Sequence, residues 1–369
     1  MLKAILGVAA LLFLVVVVIM AVSSDAEPMG SPVDPVGPPG TAKSALPLLG
    51  GFLWPRGPTS TWGDEPLRES FARAKEAGIG LAIWTYNWGE LETKPNHFEW
   101  PWLDFLVNQT IKNTLKVSLS FEIAQPHRPP LYPPDIKEAR FDDPVFQARL
   151  LALYEQLARR YKGKVGYLWV GQEYDALLHL HPEHKKPFIA LVKKVRDKVK
   201  AIDPNMQFGL VAGYHLAKFY GYEKTLLLEL AKVTDLVGFT LYVEDEKNLT
   251  DPAQTEEYFD EMISLFPNNK IFIHETAWSS SGPKGSPEKQ AEYVRQLGKV
   301  AEKHKHKIEA LSWWVIHDFA KGDSRDVAKK YGTDKLTGFM DWHDSVGLID
   351  TSGREKPGWQ AWKDTMLKK

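Results

Sequence analysis

The sequence predicts an α/β protein whose core is a (β/α)8 TIM barrel, and three observations predict it. Short, continuous apolar runs recur along the chain, as is typical of parallel strands buried on both faces. Each run is separated from the next by an amphipathic segment long enough for a right-handed βαβ unit. The chain of 369 residues, 44% apolar and 25% charged, has the composition of a folded protein with a large core.

Eight strands and eight helices are expected, and several helix ends carry stop signals such as Gly78, Gly163 and Asp203-Pro204. A doubly wound open sheet is the alternative. It would need a glycine-rich phosphate turn after an early strand, whereas Gly50-Gly51 precedes one. The expected strands are 49–54, 79–84, 115–121, 165–170, 208–212, 236–242, 271–274 and 310–316, and the expected helices are 66–77, 101–113, 144–162, 187–202, 222–233, 255–266, 287–304 and 358–367.

The first 26 residues are expected to lie outside the barrel. Residues 1–22 form an apolar run in which Lys3 is the only charge, and ~20 helical residues suffice to cross ~30 Å of hydrocarbon. A cleaved signal peptide and an uncleaved membrane anchor both fit, and both place the rest of the chain outside the cytoplasmic membrane. Residues 27–48 are rich in proline and glycine and are expected to be an extended linker to a barrel domain at 49–369.

The composition excludes several classes of function. Lysine and arginine total 46 against 47 acidic residues, a net charge of −1, which is not the electrostatic footprint of a nucleic-acid-binding protein. The absence of cysteine excludes disulfides, thiolate zinc sites, iron–sulfur clusters and a cysteine nucleophile. We expect no cofactor and no metal, and a monomer that meets the membrane only through its N-terminal segment. The 13 tryptophans fit a protein that stacks sugar rings, although large cores also use tryptophan.

Two glutamates directly follow predicted buried strands on opposite sides of the ring. Glu173 ends the fourth strand in YLWVGQEYD, and Glu275 ends the seventh in IFIHETAW. The chemistry of such barrels lies at the C-terminal ends of the strands. Each glutamate alone is also compatible with a structural ion pair to a neighbouring lysine or arginine, since a buried charge needs a partner. Two at these positions favour a catalytic pair, because paired carboxyl groups with different pKa values carry out glycoside hydrolysis.

These segments resemble the (β/α)8 clan of retaining glycoside hydrolases, and endo-β-glycanases in particular. The clan carries Asn-Glu at the end of strand four and a second glutamate at the end of strand seven. The resemblance implies that Glu173 is the acid/base and Glu275 the nucleophile, with carboxyl groups ~5–5.5 Å apart at one mouth if the reaction retains configuration. It covers about 49–369, and the matching segments are 84–92, 98–104, 271–282, 313–314 and 347–359.

The clearest departure from the clan is Gln172, which stands where members have the asparagine that binds the sugar 2-hydroxyl. Glutamine keeps the same donor and acceptor but adds one methylene, so the contact either survives with a shifted backbone or is lost. We expect an exported hydrolase that cleaves a β-linked poly- or oligosaccharide with retention. Two other interpretations stay open: a non-catalytic, membrane-tethered glycan-binding protein on a degenerate barrel, and an envelope protein that keeps the barrel as a scaffold.

Further candidates for substrate binding are aromatic residues near the predicted strand ends. The resemblance places at Tyr242 a tyrosine whose hydroxyl touches the nucleophile, although a buried structural tyrosine is the alternative. Indole faces pack on the C–H groups of pyranose rings, which makes Trp88, Trp278, Trp313 and Trp314 candidates. Because neighbours in a strand point to opposite faces, at most one of the adjacent pair Trp313 and Trp314 faces the mouth.

Polar residues near the same strand ends complete the candidate set. His127 follows the third strand and His215 the fifth, so each is placed to bind sugar hydroxyls or to tune a carboxylate, or to serve as a structural hydrogen-bond partner. Glu122 also ends a strand, but it lacks the context of the clan. A histidine-rich stretch after the fourth strand is expected to be a solvated loop near the cleft instead of a metal site, because its spacing fits no zinc consensus (His179, His181, His184).

Overall fold

The computed structural model describes residues 46–56, 64–123, 132–137, 140–219, 224–242, 251–282, 284–320 and 338–367. Within them, eight strands form a closed barrel in which every strand pairs in parallel with its sequence neighbours and the first pairs with the last. The predicted (β/α)8 TIM barrel is confirmed. The strands are β1 Leu48–Phe52, β2 Leu81–Asn87, β3 Lys116–Glu122, β4 Tyr167–Gln172, β5 Gln207–Gly213, β6 Leu236–Tyr242, β7 Ile271–Ala277 and β8 Ile308–Val315.

Helices alternate with these strands, and two of them begin at side-chain caps that the sequence shows. Asp143 accepts a hydrogen bond from the Val145 N–H at 2.8 Å, and the Ser286 hydroxyl oxygen accepts one from the Lys289 N–H at 3.1 Å. In both cases a proline occupies the first turn. The helices are α1 Asp64–Glu76, α2 Pro101–Lys112, α3 Pro144–Arg160, α4 Lys185–Ile202, α5 Lys224–Ala231, α6 Thr255–Ser264, α7 Pro287–Lys303 and α8 Pro357–Met366.

The structure describes the chain from residue 46 onward, within the predicted linker. The apolar run 1–22 and most of the linker lie outside the described residues. In the part of the chain that is described, no helix has the length and apolar character needed to cross a membrane.

Short elements that the sequence analysis did not anticipate follow several strands at the C-terminal mouth of the barrel. Helix Trp88–Leu91 directly follows β2, and helix Tyr214–Phe219 directly follows β5. The expected loop around the histidines was wrong, because Tyr174–Leu180 is a helix and Pro182–His184 is a 3-10 turn. Segments this short hold fewer than two helical turns, so hydrophobic periodicity does not reveal them. The remaining short elements are a hairpin of Glu92–Lys94 with His97–Phe98, the 3-10 turn Pro252–Gln254 and helix Phe339–Asp344.

A layer of aromatic side chains fills the barrel interior. The Trp169 indole N–H donates to the Ser118 hydroxyl at 2.8 Å, and its ring centroid lies 4.7 Å from that of Phe272. Glycine at two neighbouring strand positions makes room for this ring: a Cβ atom would come within 2.2 Å of it at Gly209 and within 2.9 Å at Gly238. The interior is therefore a packed core, and a site can form only at its mouth.

Candidate active site

A bulge in β7 turns the side chain of Glu275 into the barrel. Across the β6–β7 pairing, Phe239 lies opposite Ile273 while the next residue, Thr240, lies opposite Glu275, so that His274 is the extra residue. A bulge of this kind interrupts the regular alternation of side chains. The His274 ring packs in the interior at 5.6 Å from Trp169, and the Glu275 carboxylate also meets groups from the interior face. The side chains of His274 and Glu275, although consecutive in sequence, therefore both lie on the interior side of the sheet.

A second bulge lies in β4, just before the other glutamate. Trp169 pairs with Gly209 and Gln172 with Val211, so three residue steps on β4 match two on β5. Gly171 has a positive φ of +70°, and a Cβ atom there would lie 1.5 Å from the Tyr174 hydroxyl oxygen. Only glycine meets both conditions. The bulge brings the Gln172 side chain to the barrel interior and leaves Glu173 at the first position beyond the strand.

The Glu275 carboxylate is held by donors from two other strands. The Tyr242 hydroxyl donates to Oε2 at 2.9 Å, and the Gln172 amide donates to Oε1 at 2.6 Å. Burial, followed by the charges of Glu275 and Glu173, raises the pKa of Tyr242 well above its usual value. Its hydroxyl therefore stays protonated and can donate this hydrogen bond. Two hydrogen bonds to a buried carboxylate stabilise its negative charge. This is the environment that a carboxylate nucleophile needs.

Glu173 has the opposite environment. Its side chain is buried, and the Thr240 hydroxyl donates a short hydrogen bond to Oε1. Burial raises the pKa of Glu173 well above its usual value, and the negative charges of Glu275, Asp175 and Glu122 add to the rise while the Thr240 hydrogen bond opposes it. A raised pKa favours the protonated form of a carboxyl group, which is the form that can act as a general acid.

The backbone at Glu173 is also unusual. It has φ 53° and ψ 39°, the left-handed region, at the residue that precedes helix Tyr174–Leu180. Residues other than glycine adopt this region rarely, at a cost of about 1–3 kcal/mol, and they cluster at functional sites. Its N–H donates to the Val211 carbonyl oxygen at 2.6 Å, which fixes the turn against β5. The conformation aims the carboxyl group at the mouth instead of along the strand.

Three residues with a part in this electrostatic arrangement were missed or undervalued in the sequence analysis. Thr240 stands two residues before Tyr242, and the period of two in a strand places both on one face, a signal that would have found it. Asp175 is buried and accepts a hydrogen bond from the Gly213 N–H at 3.0 Å. Glu122, at the end of β3, is buried as well, and its charge acts on Glu173.

Of the adjacent tryptophans that end β8, the structure brings Trp314 to the site. Its ring centroid lies 5.6 Å from that of Tyr242. Trp313 points the other way: its N–H donates to the Val346 carbonyl oxygen at 3.1 Å, and its ring lies 6.1 Å from Tyr293 in α7. The prediction that Trp313 binds substrate is therefore wrong, because its side chain is buried between the barrel and the helices.

Two other tryptophans proposed for substrate binding also belong to the packing between barrel and helices. The Trp88 N–H donates to Glu92 at 2.6 Å, and its ring lies 5.5 Å from Phe146 in α3. Trp278 lies 5.3 Å from Tyr293 in α7, and both tryptophans are fully buried. Both predictions were wrong for one physical reason. Each ring lies just beyond the end of its strand, where a helix of the outer layer covers it.

The rim of the site includes an aromatic residue that the sequence analysis did not name. Trp342, in helix Phe339–Asp344, is partly exposed and has its ring centroid 5.5 Å from that of Tyr242. The segment before this helix, 321–337, lies outside the described residues. Trp342 and Trp314 thus contact the same tyrosine whose hydroxyl holds Glu275.

The histidine predictions have different outcomes. His127 lies outside the described residues, and His215 belongs to helix Tyr214–Phe219, but its side chain is not among those described. In the histidine-rich stretch, ligand atoms of His181, Glu183 and His184 lie within 4.8 Å of one another. His181 Nδ1 lies 3.3 Å from Glu183 Oε1, an exposed pair that accounts for this proximity without an ion.

Among known sequences, the chain has a match over part of its length. No family model matches the chain. A β-galactosidase from Thermus thermophilus is 29% identical over 119 residues, which is 28% of this chain and 18% of that protein. The matched part is therefore less than a fifth of the length of this curated relative.

Comparison with solved structures identifies the fold. An exo-β-1,4-mannosidase from Opitutaceae bacterium strain TAV5 is similar with a TM-score of 0.68 at 13% identity, over 87% of this chain and 60% of that one. A GH5_18 protein from Streptomyces cattleya in complex with GlcNAc has a TM-score of 0.68 at 13% identity, over 88% and 80%. A family 39 glycoside hydrolase from Bacteroides cellulosilyticus WH2 has a TM-score of 0.59 at 16% identity, over 88% and 64%. The expected resemblance to glycoside hydrolase barrels is confirmed at the level of the fold.

Proposed function

We propose that this chain is a retaining glycoside hydrolase that cleaves β-linked poly- or oligosaccharides, with Glu173 as acid/base and Glu275 as nucleophile. The observation that carries the proposal is the unequal environment of the two carboxyl groups at one barrel mouth. Glu275 accepts hydrogen bonds from Tyr242 and Gln172, whereas burial and neighbouring negative charges raise the pKa of Glu173. Glycoside hydrolysis of this kind requires two carboxyl groups, one that is protonated and donates its proton and one that is ionised and attacks.

The mechanism that we propose is a double displacement. In the first step Glu275 attacks the anomeric carbon, and Glu173 gives its proton to the departing glycosidic oxygen. Formation of the glycosyl ester removes the negative charge of Glu275, which is one of the causes that raise the pKa of Glu173. The pKa of Glu173 then falls, which suits it to act as the base that takes a proton from water in the second step. Attack of that water releases the sugar with retained configuration.

The substrate class is supported by the comparisons and by the rim of the site. The relatives include proteins named as an exo-β-1,4-mannosidase and a β-galactosidase, both of which take β-linked sugars. The partly exposed indole ring of Trp342 lies beside Tyr242, with the buried ring of Trp314 also in contact with this tyrosine, and an exposed indole ring packs on pyranose faces. β-Mannosides, β-galactosides and β-glucosides are therefore the first substrates to test.

The experiment is product analysis with the purified protein on β-glucans, mannans, galactans, xylans and aryl β-glycosides. We expect the β-anomer to appear first by proton NMR. Azide separates the two roles, because a small anion replaces whichever carboxylate is missing. Glu173→Ala with azide should yield a β-glycosyl azide, and Glu275→Ala an α-glycosyl azide. Exchanged products would mean exchanged roles, and turnover unchanged in both variants would refute the proposal.

A non-catalytic glycan-binding protein is the second candidate, and Gln172 is the observation that favours it. Its amide nitrogen is engaged with Glu275, while its Oε1 has no hydrogen-bond partner among the described residues. Because the amide nitrogen is engaged with Glu275 and the oxygen is buried, Gln172 does not offer in this structure the contact with a sugar 2-hydroxyl that the asparagine of the clan makes, which favours binding without turnover. Glycan binding by calorimetry without turnover of any substrate in the panel would favour this candidate. Neither binding nor turnover would favour a scaffold role.

We also propose that residues 1–26 export the barrel domain and that 27–48 tether or link it. The support is the uncharged apolar run that follows Lys3. Cell fractionation with N-terminal sequencing is the test. An intact N-terminus in the membrane fraction indicates an anchor, a new N-terminus near 23–27 indicates a cleaved signal peptide, and a cytosolic protein would contradict export.

A further inference from the structure

The imidazole of His274 is a buried polar group among aromatic rings. Its side chain has no exposed surface, and its ring centroid lies 5.6 Å from those of Phe52 and Trp169 and 6.0 Å from that of Phe272. Neither ring nitrogen has a hydrogen-bond partner among the described residues. Burying a polar group without a partner is costly, and an apolar ring would fit these neighbours better. The presence of an imidazole here therefore calls for a specific polar neighbour.

That neighbour is the carboxylate of Glu275. His274 Nδ1 lies 3.7 Å from Glu275 Oε1, and both side chains are buried. The bulge in β7 places the two consecutive side chains on the same side of the sheet. Gln172 and Tyr242 hold the carboxylate from β4 and β6, while His274 approaches it from the aromatic layer in the barrel interior.

We propose that His274 is a positioning residue for Glu275, whose Nδ1–H group faces the carboxylate from inside the barrel and stabilises its ionised form. This inference rests on the proposed function, in which Glu275 must be ionised to attack. A dipole directed at a charge is strong where the surroundings are apolar, even beyond hydrogen-bond length. The interaction also explains why the extra residue of the β7 bulge is a histidine.

Other titratable groups near the pair act differently on Glu275. Glu173, on the β4 side, has a raised pKa that favours its neutral form, and the Tyr242 hydroxyl on β6 already donates a hydrogen bond to Glu275. Glu122 on β3 carries a negative charge that raises the pKa of Glu173. The rings that reach the imidazole from β1 and β4 are uncharged. His274 is thus placed to set the acidic limit of activity without altering the acid/base residue directly.

The test compares His274→Phe, which keeps an aromatic ring but removes the donor, with His274→Asn, whose amide nitrogen can replace Nδ1 as a donor. The readout is kcat/KM against pH on an activated aryl β-glycoside. We expect the acidic limb to move up by about one pH unit in His274→Phe, with kcat/KM about tenfold lower below it, and to return towards the wild-type position in His274→Asn. The matched control is His304→Phe, which removes an imidazole that pairs with Asp260 at 2.6 Å on the outer helices and should leave the limb unchanged.

A second measurement needs no turnover. In protein labelled with carbon-13 glutamate, the carboxyl resonance of Glu275, assigned by its loss in Glu275→Gln, should titrate at higher pH in folded His274→Phe than in wild type. An unchanged titration and an unchanged acidic limb would overturn the inference, as would equal shifts in the Phe and Asn variants. A shifted titration in a protein without turnover would support the role of His274 and refute the proposed hydrolase.

Discussion

Two glutamates in the same mouth differ because their neighbours differ. Glu275 meets the Tyr242 hydroxyl and the Gln172 amide. Glu173 accepts a hydrogen bond from the Thr240 hydroxyl. Its burial and the negative charges of its neighbours, Asp175 among them, raise its pKa. At the scale of single residues, the pKa of Glu173 and its proposed role as the acid therefore depend on neighbouring groups.

Asp175→Asn tests this electrostatic dependence. The asparagine keeps the Oδ1 acceptor for the Gly213 N–H but removes the negative charge, so the pKa of Glu173 should fall. A general acid is active below its pKa, and activity is lost as the pH rises through it. We expect the alkaline limb of kcat/KM to move to lower pH by about half a unit to one unit.

The control for this shift is Asp197→Asn, on the exposed face of α4, where the aspartate pairs with Lys193 at 2.7 Å. This control should leave both the acidic and the alkaline limb of the kcat/KM profile unchanged. An alkaline limb that moves to higher pH in Asp175→Asn would show that the charge of Asp175 does not act on the acid.

At the scale of elements, the two bulges determine what the strands present to the mouth. The β4 bulge depends on Gly171, whose φ of +70° and contact with the buried Tyr174 exclude a side chain. The β7 bulge turns both His274 and Glu275 inward. Without them, a regular alternation would place the side chains of the site on different faces.

Gly171→Ala should therefore damage both stability and activity. Its matched control is Gly163→Ala, at φ +71° with no atom within 4 Å of the new Cβ atom. The control carries only the conformational cost, about 1–2 kcal/mol. Gly171→Ala adds a clash with the Tyr174 ring, and we expect about 1–3 kcal/mol of further destabilisation.

Urea unfolding and kcat measured on both variants provide the check. The position of Gln172 and Glu173 depends on the bulge, so kcat should fall in Gly171→Ala alone. Equal losses of stability in the two variants, with kcat retained in both, would mean that the bulge tolerates a side chain.

At the scale of the whole molecule, a buried ion pair joins the segment before α8 to the loops that follow β7 and β8. The Lys356 ammonium donates to Asp318 Oδ1 at 2.6 Å and to the Ser280 hydroxyl at 2.8 Å. Burial raises the pKa of Asp318 to about 6, although Lys356 opposes the rise. Lys356 belongs to the closing segment of the resemblance, so the motif has a structural role here.

Lys356→Met should leave Asp318 buried without its partner. The expected loss is about 3–5 kcal/mol of unfolding free energy while Asp318 is ionised. Because the unpaired carboxyl group binds a proton more readily, the loss should be smaller at about pH 5 than at about pH 8. Urea unfolding at the two pH values measures it.

The control is Lys363→Met, an exposed lysine in α8 that pairs with Glu76 at 3.0 Å. Pairs at the surface contribute about 0–1 kcal/mol. A loss in Lys356→Met that is no larger than in this control, or that does not depend on pH, would contradict a stabilising role for the buried pair.

The eight strands, the eight main helices, their order and the fold class can all be predicted from the sequence. These follow from local patterns: apolar runs for buried strands, amphipathic segments for helices, and proline or glycine at their ends. The sequence also placed Glu173 and Glu275 at strand ends and implied the contact of Tyr242 with Glu275 through the resemblance, and the structure has that hydroxyl at 2.9 Å.

Which side chains share the mouth becomes visible only when the strands are assembled in the barrel. Trp313 and Trp314 are neighbours with the same side chain, yet only Trp314 contacts Tyr242, and Trp88 and Trp278 pack against helices. The bulge at His274 is visible only in the pairing of β7 with β6, and the protonation of Glu173 depends on charges from β3 and β7. Register, burial and charge proximity are relations between segments distant in sequence, so no local pattern along the chain contains them.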